Sequence, residues 1–163
     1  MTSITNHKKK LIVIVGPTAV GKTSLSIELA KHFKAEIISA DSRQFFKEIS
    51  IGTAKPTIQE MDGVIHHFID SHSIKDDYNV SEFERDALEV INQLFRKDNY
   101  AIVVGGSGLY IDSLCYGMDE GMPDPDKAIR DRLNNDLEIE GIVSLQNHLL
   151  KLDPEFYQKI DLN

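Results

Sequence analysis

The chain of 163 residues has a single cysteine, Cys115, and no apolar run near the roughly 18 residues that cross a bilayer. One cysteine excludes an internal disulfide and is typical of a reducing compartment. Cys115 itself, beside Leu114 in an apolar run, should pack in the core. The sequence also lacks repeats and low-complexity segments. These absences favour a globular protein of the cytoplasm, outside any membrane, with one domain and at most a small appendage.

Excess positive charge is also missing overall, but the charges are unevenly distributed. The net charge is −8, yet residues 1–56 carry a balance of +5 and residues 57–163 a balance of −13. A positive N-terminal portion suits an anionic ligand such as a phosphate or an RNA backbone. A mixture of solvated surface charges explains the same numbers equally well.

Short β-branched runs alternate with segments of helical periodicity. Three runs are predicted strands, at residues 11–15, 36–40 and 101–104. The first of them should be buried on both faces, because it is continuously apolar. One helix is predicted over residues 22–33, and a second over residues 81–96 from a capping box of Ser81 and Glu84. This alternation predicts the α/β class, with a parallel sheet flanked by helices.

The composition changes about two thirds of the way along the chain. Residues 118–126 contain two prolines, a glycine and four acids, which predicts a linker. Amphipathic helices are predicted beyond it, over residues 127–137 and 142–152. We therefore predict a core domain over residues 1–117 and a linker with a small helical insertion element over 118–163. The chain stops without a terminating structure, so we expect a truncated chain and an incomplete core.

The segment G-P-T-A-V-G-K-T matches the phosphate-binding pattern G-x-x-x-x-G-K-[ST]. Its residues are Gly16, Pro17, Thr18, Ala19, Val20, Gly21, Lys22 and Thr23. A predicted strand precedes it and a predicted helix follows, so its backbone N–H groups can wrap phosphate oxygens at a helix N-terminus. Lys22 supplies a positive charge to the terminal phosphate, and the Thr23 hydroxyl is placed to bind Mg²⁺. The sequence therefore predicts a P-loop NTPase-like fold with a nucleotide or pyrophosphate site.

The P-loop does not decide which phosphate chemistry follows. A kinase or NTPase acting on ATP needs a metal-organising Asp at the end of a second buried strand, but the third predicted strand ends at Gly105 and Gly106. The nearest carboxylate is Asp41, directly after the second predicted strand. Asp41 could bind Mg²⁺ through water, act as a general base, or cap the next turn together with Ser42.

Six segments agree in order and spacing with one known family. They are GPTAVGKT at 16–23, ISADSRQ at 38–44, IGTAKP at 51–56, HHFID at 66–70, GGSGLYI at 105–111 and LDPEFYQKI at 152–160. Together they resemble the tRNA dimethylallyltransferase (isopentenyltransferase) family. The resemblance implies transfer of a dimethylallyl group from its pyrophosphate to N6 of the adenosine 3′ of the anticodon. Members of that family are much longer, so the resemblance implies a partial enzyme.

The resemblance also implies a role for each matching residue. The P-loop holds pyrophosphate as a leaving group, with Thr18 near the breaking bond, and no phosphoryl group is transferred. Asp41 matches the general base that takes a proton from the adenine amine. The implied tRNA contacts are Asp41, Ser42, Arg43, Gln44, Ser107 and Arg130. The Gln44 amide offers a donor and an acceptor to an adenine edge, and Ser107 replaces the threonine usual in the family.

Two other functions stay open: a P-loop small-molecule kinase or NTPase acting on ATP, and a non-catalytic phosphate- or RNA-binding fragment. The first predicts an arginine-rich lid, whereas residues 127–163 contain only Arg130 and Arg132. Preference for dimethylallyl pyrophosphate or for ATP distinguishes the enzymes. We expect a monomer that works with tRNA, the allylic donor and Mg²⁺. An incomplete sheet, however, would expose an edge through which chains dimerise or aggregate.

Overall fold

The computed structural model describes residues 8–118 and 126–161. The chain divides into two compact units, Met1–Glu120 and Gly121–Asn163. Most of the predicted linker lies outside the described residues. The helices and strands are β1 Lys10–Val15, α1 Lys22–Phe33, β2 Ile37–Ser39, α2 Ile58–Met61, β3 His66–His67, α3 Val80–Lys97, β4 Tyr100–Gly105, α4 Gly108–Tyr116, α5 Lys127–Glu140, α6 Ile142–Leu152 and α7 Pro154–Tyr157.

The first unit is built on a parallel sheet. Over the described residues its strand order is β1-β4-β2-β3, and every neighbouring pair is parallel. Val15 of β1 pairs with Gly105 of β4, and Ser39 of β2 pairs with Val104, so three strands end at the same edge of the sheet. Parallel neighbours require crossover connections, which the helices supply. The predicted α/β class with a parallel sheet is confirmed.

Helices pack against both faces of this sheet. Alternate residues of a strand point to opposite faces, and along β4 Ile102 belongs to one apolar cluster while Ala101 and Val103 belong to another. The Ile102 cluster includes Ile27 and Ala30 of α1. The other cluster includes residues of α3 and α4, namely Phe83, Ala87, Ile91, Leu94, Ile111 and Leu114. Each fully buried large side chain contributes about 1.5–3 kcal/mol, so these clusters hold the strand ends in place.

Strand β1 differs from its prediction. It lies at the edge of the described sheet and pairs with β4 alone. One of its faces is covered: Ile12 and Ile14 pack against the Ile102 cluster, whereas Val13 and Val15 on the opposite face are exposed. Val13 is 36% exposed and Val15 is 58% exposed. The β-branched run identified a strand, but whether a strand has one neighbour or two depends on distant parts of the chain.

Two local predictions about helices are wrong. Helix α3 is capped by Asn79, whose side chain accepts hydrogen bonds from the N–H groups of Ser81 and Glu82, and the Glu82 carboxylate accepts one from the N–H of Asn79. The capping box therefore lies two residues before the predicted pair of Ser81 and Glu84. Cys115, predicted in the core, is exposed because α4 turns the preceding residue inward instead.

The second unit consists of helices α5, α6 and α7. Asp126 caps α5 by accepting hydrogen bonds from the N–H groups of Ala128 and Ile129. Gly141 separates α5 from α6 with φ of 75°, a left-handed value that suits glycine. Both predicted helices are confirmed, although α5 runs three residues further than predicted, to Glu140. Over the described residues, no helix combines the length and the apolar character of a membrane span.

Candidate phosphate-binding and catalytic site

A cavity of about 680 Å³ lies where the carboxyl ends of the strands meet the N-terminus of α1. The P-loop residues Thr18, Ala19, Gly21, Lys22 and Thr23 line it, as do Asp41 and Gln44 at the end of β2. The carboxyl edge of a parallel sheet is where α/β proteins bind ligands. The structure therefore brings together two groups of residues that the sequence predicted separately.

The P-loop connects β1 to α1. Gly21 is the N-cap of α1 with φ of 89°, a conformation that other residues adopt only with strain. No acidic residue occupies the first turn of α1, so nothing there offsets the positive end of the helix dipole. The Lys22 ammonium donates a hydrogen bond of 2.6 Å to the carbonyl of Pro17, which keeps it over the loop. Together these features suit an anion bound at the start of α1.

Asp41 lies two residues after the last residue of β2 and is half-buried. Its Oδ1 accepts a hydrogen bond of 3.1 Å from the backbone N–H of Arg43, and its carbonyl accepts one of 3.0 Å from Gln44. The carboxylate thus caps its own turn, as one sequence interpretation proposed, although through Arg43 and not Ser42. Within residues 8–118 its Oδ2 has no hydrogen-bond partner. That oxygen is available to accept a proton from a bound group.

The end of β4 carries no carboxylate because no side chain fits there. A Cβ built on Gly105 would lie 2.3 Å from the carbonyl oxygen of Ala40, far inside contact distance. Ala40 also donates its N–H to Val104 over 2.8 Å. Just beyond, the backbone N–H of Ser42 donates to the hydroxyl of Ser107 over 3.2 Å. The two strand ends therefore touch, and Asp41 contributes a carboxylate to the cavity lining just beyond them.

A further wall of the cavity was missed by the sequence analysis. Ala54, Lys55, Pro56 and His66 line it, and they belong to the IGTAKP and HHFID segments to which no role was assigned. The Lys55 ammonium donates to Asp70 Oδ1 over 2.6 Å. The only available signal was the motif match itself, because nothing local places residues 54–56 beside the P-loop.

His66 is a partly buried member of this wall. Its Nδ1 lies 3.0 Å from the carbonyl of Val64, while its Nε2 is buried without a partner among the described residues. Burial lowers the pKa of His66 below its ordinary value; the Val64 carbonyl acts against this change, and the neighbouring His67 adds to it. This environment therefore favours the neutral form of His66.

Gln44 also lines the cavity, but its amide is engaged within the protein. Its Nε2 donates to the carbonyls of Thr53 and Ala54, each over 3.1 Å, and its Oε1 accepts from the Ser39 hydroxyl over 2.9 Å. Of the other predicted contacts, Arg43 is exposed beside Asp41, and Arg130 is exposed on α5 of the second unit.

A metal at this site would have few protein ligands. Over the described ranges no group of three or more His, Cys, Asp or Glu side chains could hold an ion. Mg²⁺ usually keeps several waters and takes phosphate oxygens, with one or two protein oxygens. Thr23, which lines the cavity in the first turn of α1, offers such an oxygen, so the residues present fit Mg²⁺ bound together with a phosphate.

A Gly-rich loop between a strand and a helix, at the carboxyl edge of a parallel sheet, defines a P-loop α/β protein. The chain belongs to the IPP transferase family, whose sequence profile matches residues 44–163. A tRNA dimethylallyltransferase of Flavobacterium johnsoniae is 53% identical over 154 residues, covering 94% of this chain and 50% of that relative. One of Christiangramia forsetii is 54% identical over 152 residues, covering 93% and 50%.

Solved structures give the same result. The full-length tRNA isopentenylpyrophosphate transferase of Bacillus halodurans matches with a TM-score of 0.68 and 38% identity, covering 96% of this chain and 52% of that chain. A eukaryotic dimethylallyltransferase described as acting on tRNA matches with a TM-score of 0.78 and 34% identity, covering 96% and 39%. The resemblance and the P-loop NTPase-like fold are confirmed. The chain spans about half the length of the curated relatives it matches.

Proposed function

We propose that this chain is the donor-binding and base-carrying portion of a tRNA dimethylallyltransferase. The reaction transfers a dimethylallyl group from dimethylallyl pyrophosphate to N6 of the adenosine 3′ of the anticodon. The observation that carries the proposal is that Lys22 and Thr23 of the P-loop and the carboxylate of Asp41 line one cavity. The site for the leaving group and the base for the nucleophile can therefore act in one reaction.

The P-loop binds and stabilises the pyrophosphate leaving group. When the allylic C–O bond breaks, negative charge develops on the pyrophosphate, and groups already aimed at it stabilise the transition state. These groups are the backbone N–H groups of the loop, the positive end of α1 and the Lys22 ammonium, with Thr18 beside the breaking bond. Mg²⁺, when bound through Thr23, neutralises further charge on the pyrophosphate.

Asp41 acts as the base for the nucleophile, the adenine amine. N6 of adenine bonds to C1 of the allyl group as the C–O bond breaks, and the N6 proton passes to the Asp41 carboxylate. An exocyclic amine is a weak nucleophile, so much of the rate must come from holding it close to the donor carbon. The hydrogen bond from the Arg43 N–H orients the carboxylate, and Oδ2 is the oxygen that accepts the proton.

The RNA contacts are proposed for Asp41, Ser42, Arg43, Ser107 and Arg130. Arg43 is exposed next to the base, where its guanidinium can reach a phosphate of the anticodon loop. The target adenine has to leave its stack to reach Asp41. The resemblance adds Gln44 to this set. We propose that the protein acts as a monomer in the cytoplasm.

Calorimetric titration with dimethylallyl pyrophosphate and Mg²⁺, beside a titration with ATP, tests this proposal. We expect tighter binding of the allylic pyrophosphate than of ATP. Lys22→Ala should lower the affinity for the allylic pyrophosphate at least tenfold, because it removes the P-loop charge. Lys75→Ala, which removes an exposed lysine outside the cavity, is the matched control and should bind as the unaltered chain does. Tighter binding of ATP would instead support a kinase or NTPase.

A second measurement separates binding from chemistry. Asp41→Asn removes the proton acceptor but keeps the shape, so we expect unchanged donor binding and loss of transfer to an anticodon stem-loop RNA. Donor binding without transfer by the unaltered chain would show that this portion binds the donor but is not a complete catalyst.

A further inference from the structure

We propose that Gln44 and Lys55 are positioning residues that hold segment 53–56 as a wall of the cavity, and that neither side chain contacts a substrate. The inference rests on the proposed function of the cavity, but its physical part, the anchoring, can be tested without any substrate. It also differs from the expectation that Gln44 reads the target adenine.

The amide of Gln44 has no donor left for a base. A glutamine side chain has two N–H donors, and here they point to the carbonyls of Thr53 and Ala54. Its oxygen already accepts from Ser39 at the end of β2. Donating to an adenine edge would take one of these N–H groups away from a carbonyl of segment 53–56, and leaving such a group unpaired costs more than a new hydrogen bond returns.

The backbone of Gln44 is held as firmly as its side chain. Its N–H donates to the carbonyl of Asp41 over 3.0 Å, and its carbonyl accepts from Asp70 over 3.0 Å. Gln44 therefore joins the turn of the proposed base, the end of β2 and segment 53–56. Because all three are hydrogen-bonded to Gln44, a shift of one of them displaces the others.

Lys55 anchors the same segment from its other side. Its side chain is only 8% exposed, and its ammonium donates to Asp70 Oδ1 over 2.6 Å and to the carbonyl of Phe46 over 2.5 Å. A lysine that lines a phosphate site would ordinarily be expected to bind the phosphate. Here, however, the charge is already paired with Asp70, in contrast to Lys22, whose ammonium lies on the P-loop itself.

The anchored segment needs such support. Ala54 has φ of 49°, a left-handed conformation that is unfavourable for a residue with a Cβ and persists only where surrounding contacts impose it. Ala54, Lys55 and Pro56 all line the cavity. Without the two anchors we expect the segment to relax and the cavity to lose this wall.

Thermal unfolding of Gln44→Ala tests the anchoring in the absence of ligands. The variant loses the hydrogen bonds to Ser39, Thr53 and Ala54, so we expect its Tm to fall by about 5–10 °C. Gln93→Ala is the matched control, because it truncates an exposed glutamine on α3 and should leave Tm within about 2 °C. An unchanged Tm for Gln44→Ala would overturn the proposal.

A double-mutant cycle with Lys55→Met tests whether both residues hold one segment. No hydrogen bond joins the two side chains, and Gln44→Ala keeps the backbone hydrogen bond from Asp70 to the carbonyl of residue 44. Coupling between the two substitutions therefore reports mainly on segment 53–56, which both side chains hold. Once one anchor is lost the segment relaxes, and losing the second has less effect. We expect the double variant to lose clearly less Tm than the two single losses together, and additive losses would contradict a shared role.

Nuclear magnetic resonance of the Gln44 side-chain amide separates positioning from base reading. With an anticodon stem-loop RNA and dimethylallyl pyrophosphate, we expect the backbone signals of Ser42 and Arg43 to shift while the Gln44 NH₂ pair stays in place. Displacement of that pair, saturating together with the backbone signals, would show that Gln44 reads the base. If no signal moves, the RNA contact in the proposed function is wrong, and the unfolding measurements alone decide on the anchoring.

Discussion

The hydroxyl oxygen of Ser107 accepts a hydrogen bond from the backbone N–H of Ser42, with 3.2 Å between the two atoms. Ser42 follows the proposed base beyond β2, and Ser107 is the N-cap residue of α4 beyond β4. The contact joins positions that are 65 residues apart in sequence. It ties the Asp41 turn to a second strand end, so the position of the base depends on both.

Ser107→Ala should lower the free energy of unfolding by about 1 kcal/mol, because the Ser42 N–H loses its partner. The Ser107 side chain makes no capping hydrogen bond to α4, so the loss of a helix cap does not contribute to this decrease in the free energy of unfolding. Ser107→Thr keeps the hydroxyl and should retain the original stability. Chemical denaturation measures all three proteins, and equal stability of the alanine variant would contradict the role of this contact.

Gly105→Ala should prevent folding or destabilise the first unit by more than about 3 kcal/mol. The added Cβ would lie 2.3 Å from the Ala40 carbonyl oxygen, and backbone cannot move away as a flexible side chain does. Gly108→Ala is the matched control, since a Cβ there meets nothing within 4 Å and Gly108 begins α4. Circular dichroism and thermal unfolding compare the two variants, and similar stabilities would refute the close approach.

The stability of the protein should fall as the pH falls below about 6.5, partly through His66. Burial lowers the pKa of His66 in the folded state, so the unfolded chain, with a histidine pKa of about 6.5, binds the proton more strongly. The stabilisation is complete above that value and is lost as the pH drops through the lowered pKa. His66→Asn should flatten the dependence of Tm on pH. His148→Asn, at an exposed position on α6, should keep the original slope; the same slope in both variants would contradict the role of His66.

The open side of β1 should make this chain self-associate at high concentration. Val15 is 58% exposed on a strand whose only described neighbour is β4. A charge on such an edge opposes strand pairing between molecules. Val15→Lys should therefore raise the dissociation constant of self-association at least tenfold in sedimentation experiments. Ile58→Lys, on α2 outside the sheet, is the control; it should not change the association.

Much of the P-loop half of the site follows from sequence alone. The bounds of α1 agree with the predicted residues 22–33, because glycine at the N-cap and a continuous helical pattern are local signals. For α3 the local signals were ambiguous. Both Asn79 with Glu82 and Ser81 with Glu84 fit a capping box, and the structure uses the pair that starts the helix earlier.

The wall at residues 54–56 could not be derived in the same way. Gln44 bonds to Thr53 and Ala54 only because the chain turns back on itself after β2, and no periodicity predicts that reversal. The sequence alone predicts a glutamine whose amide is free to contact the base. The structure shows an amide whose hydrogen bonds lie within the fold, because the end of β2 and segment 53–56 converge on it.

The sequence by itself determined the class of fold, the P-loop and the family, because these depend on residue patterns within a few turns or strands and on six segments in order. Only the tertiary structure decided that β1 lies at the side of the described sheet, that Gly105 must lack a side chain, and that Asp41 shares a cavity with Lys22. These are contacts between distant parts of the chain. They form when strands pair and helices pack on both faces of the sheet. Local propensity does not determine which segments come into contact.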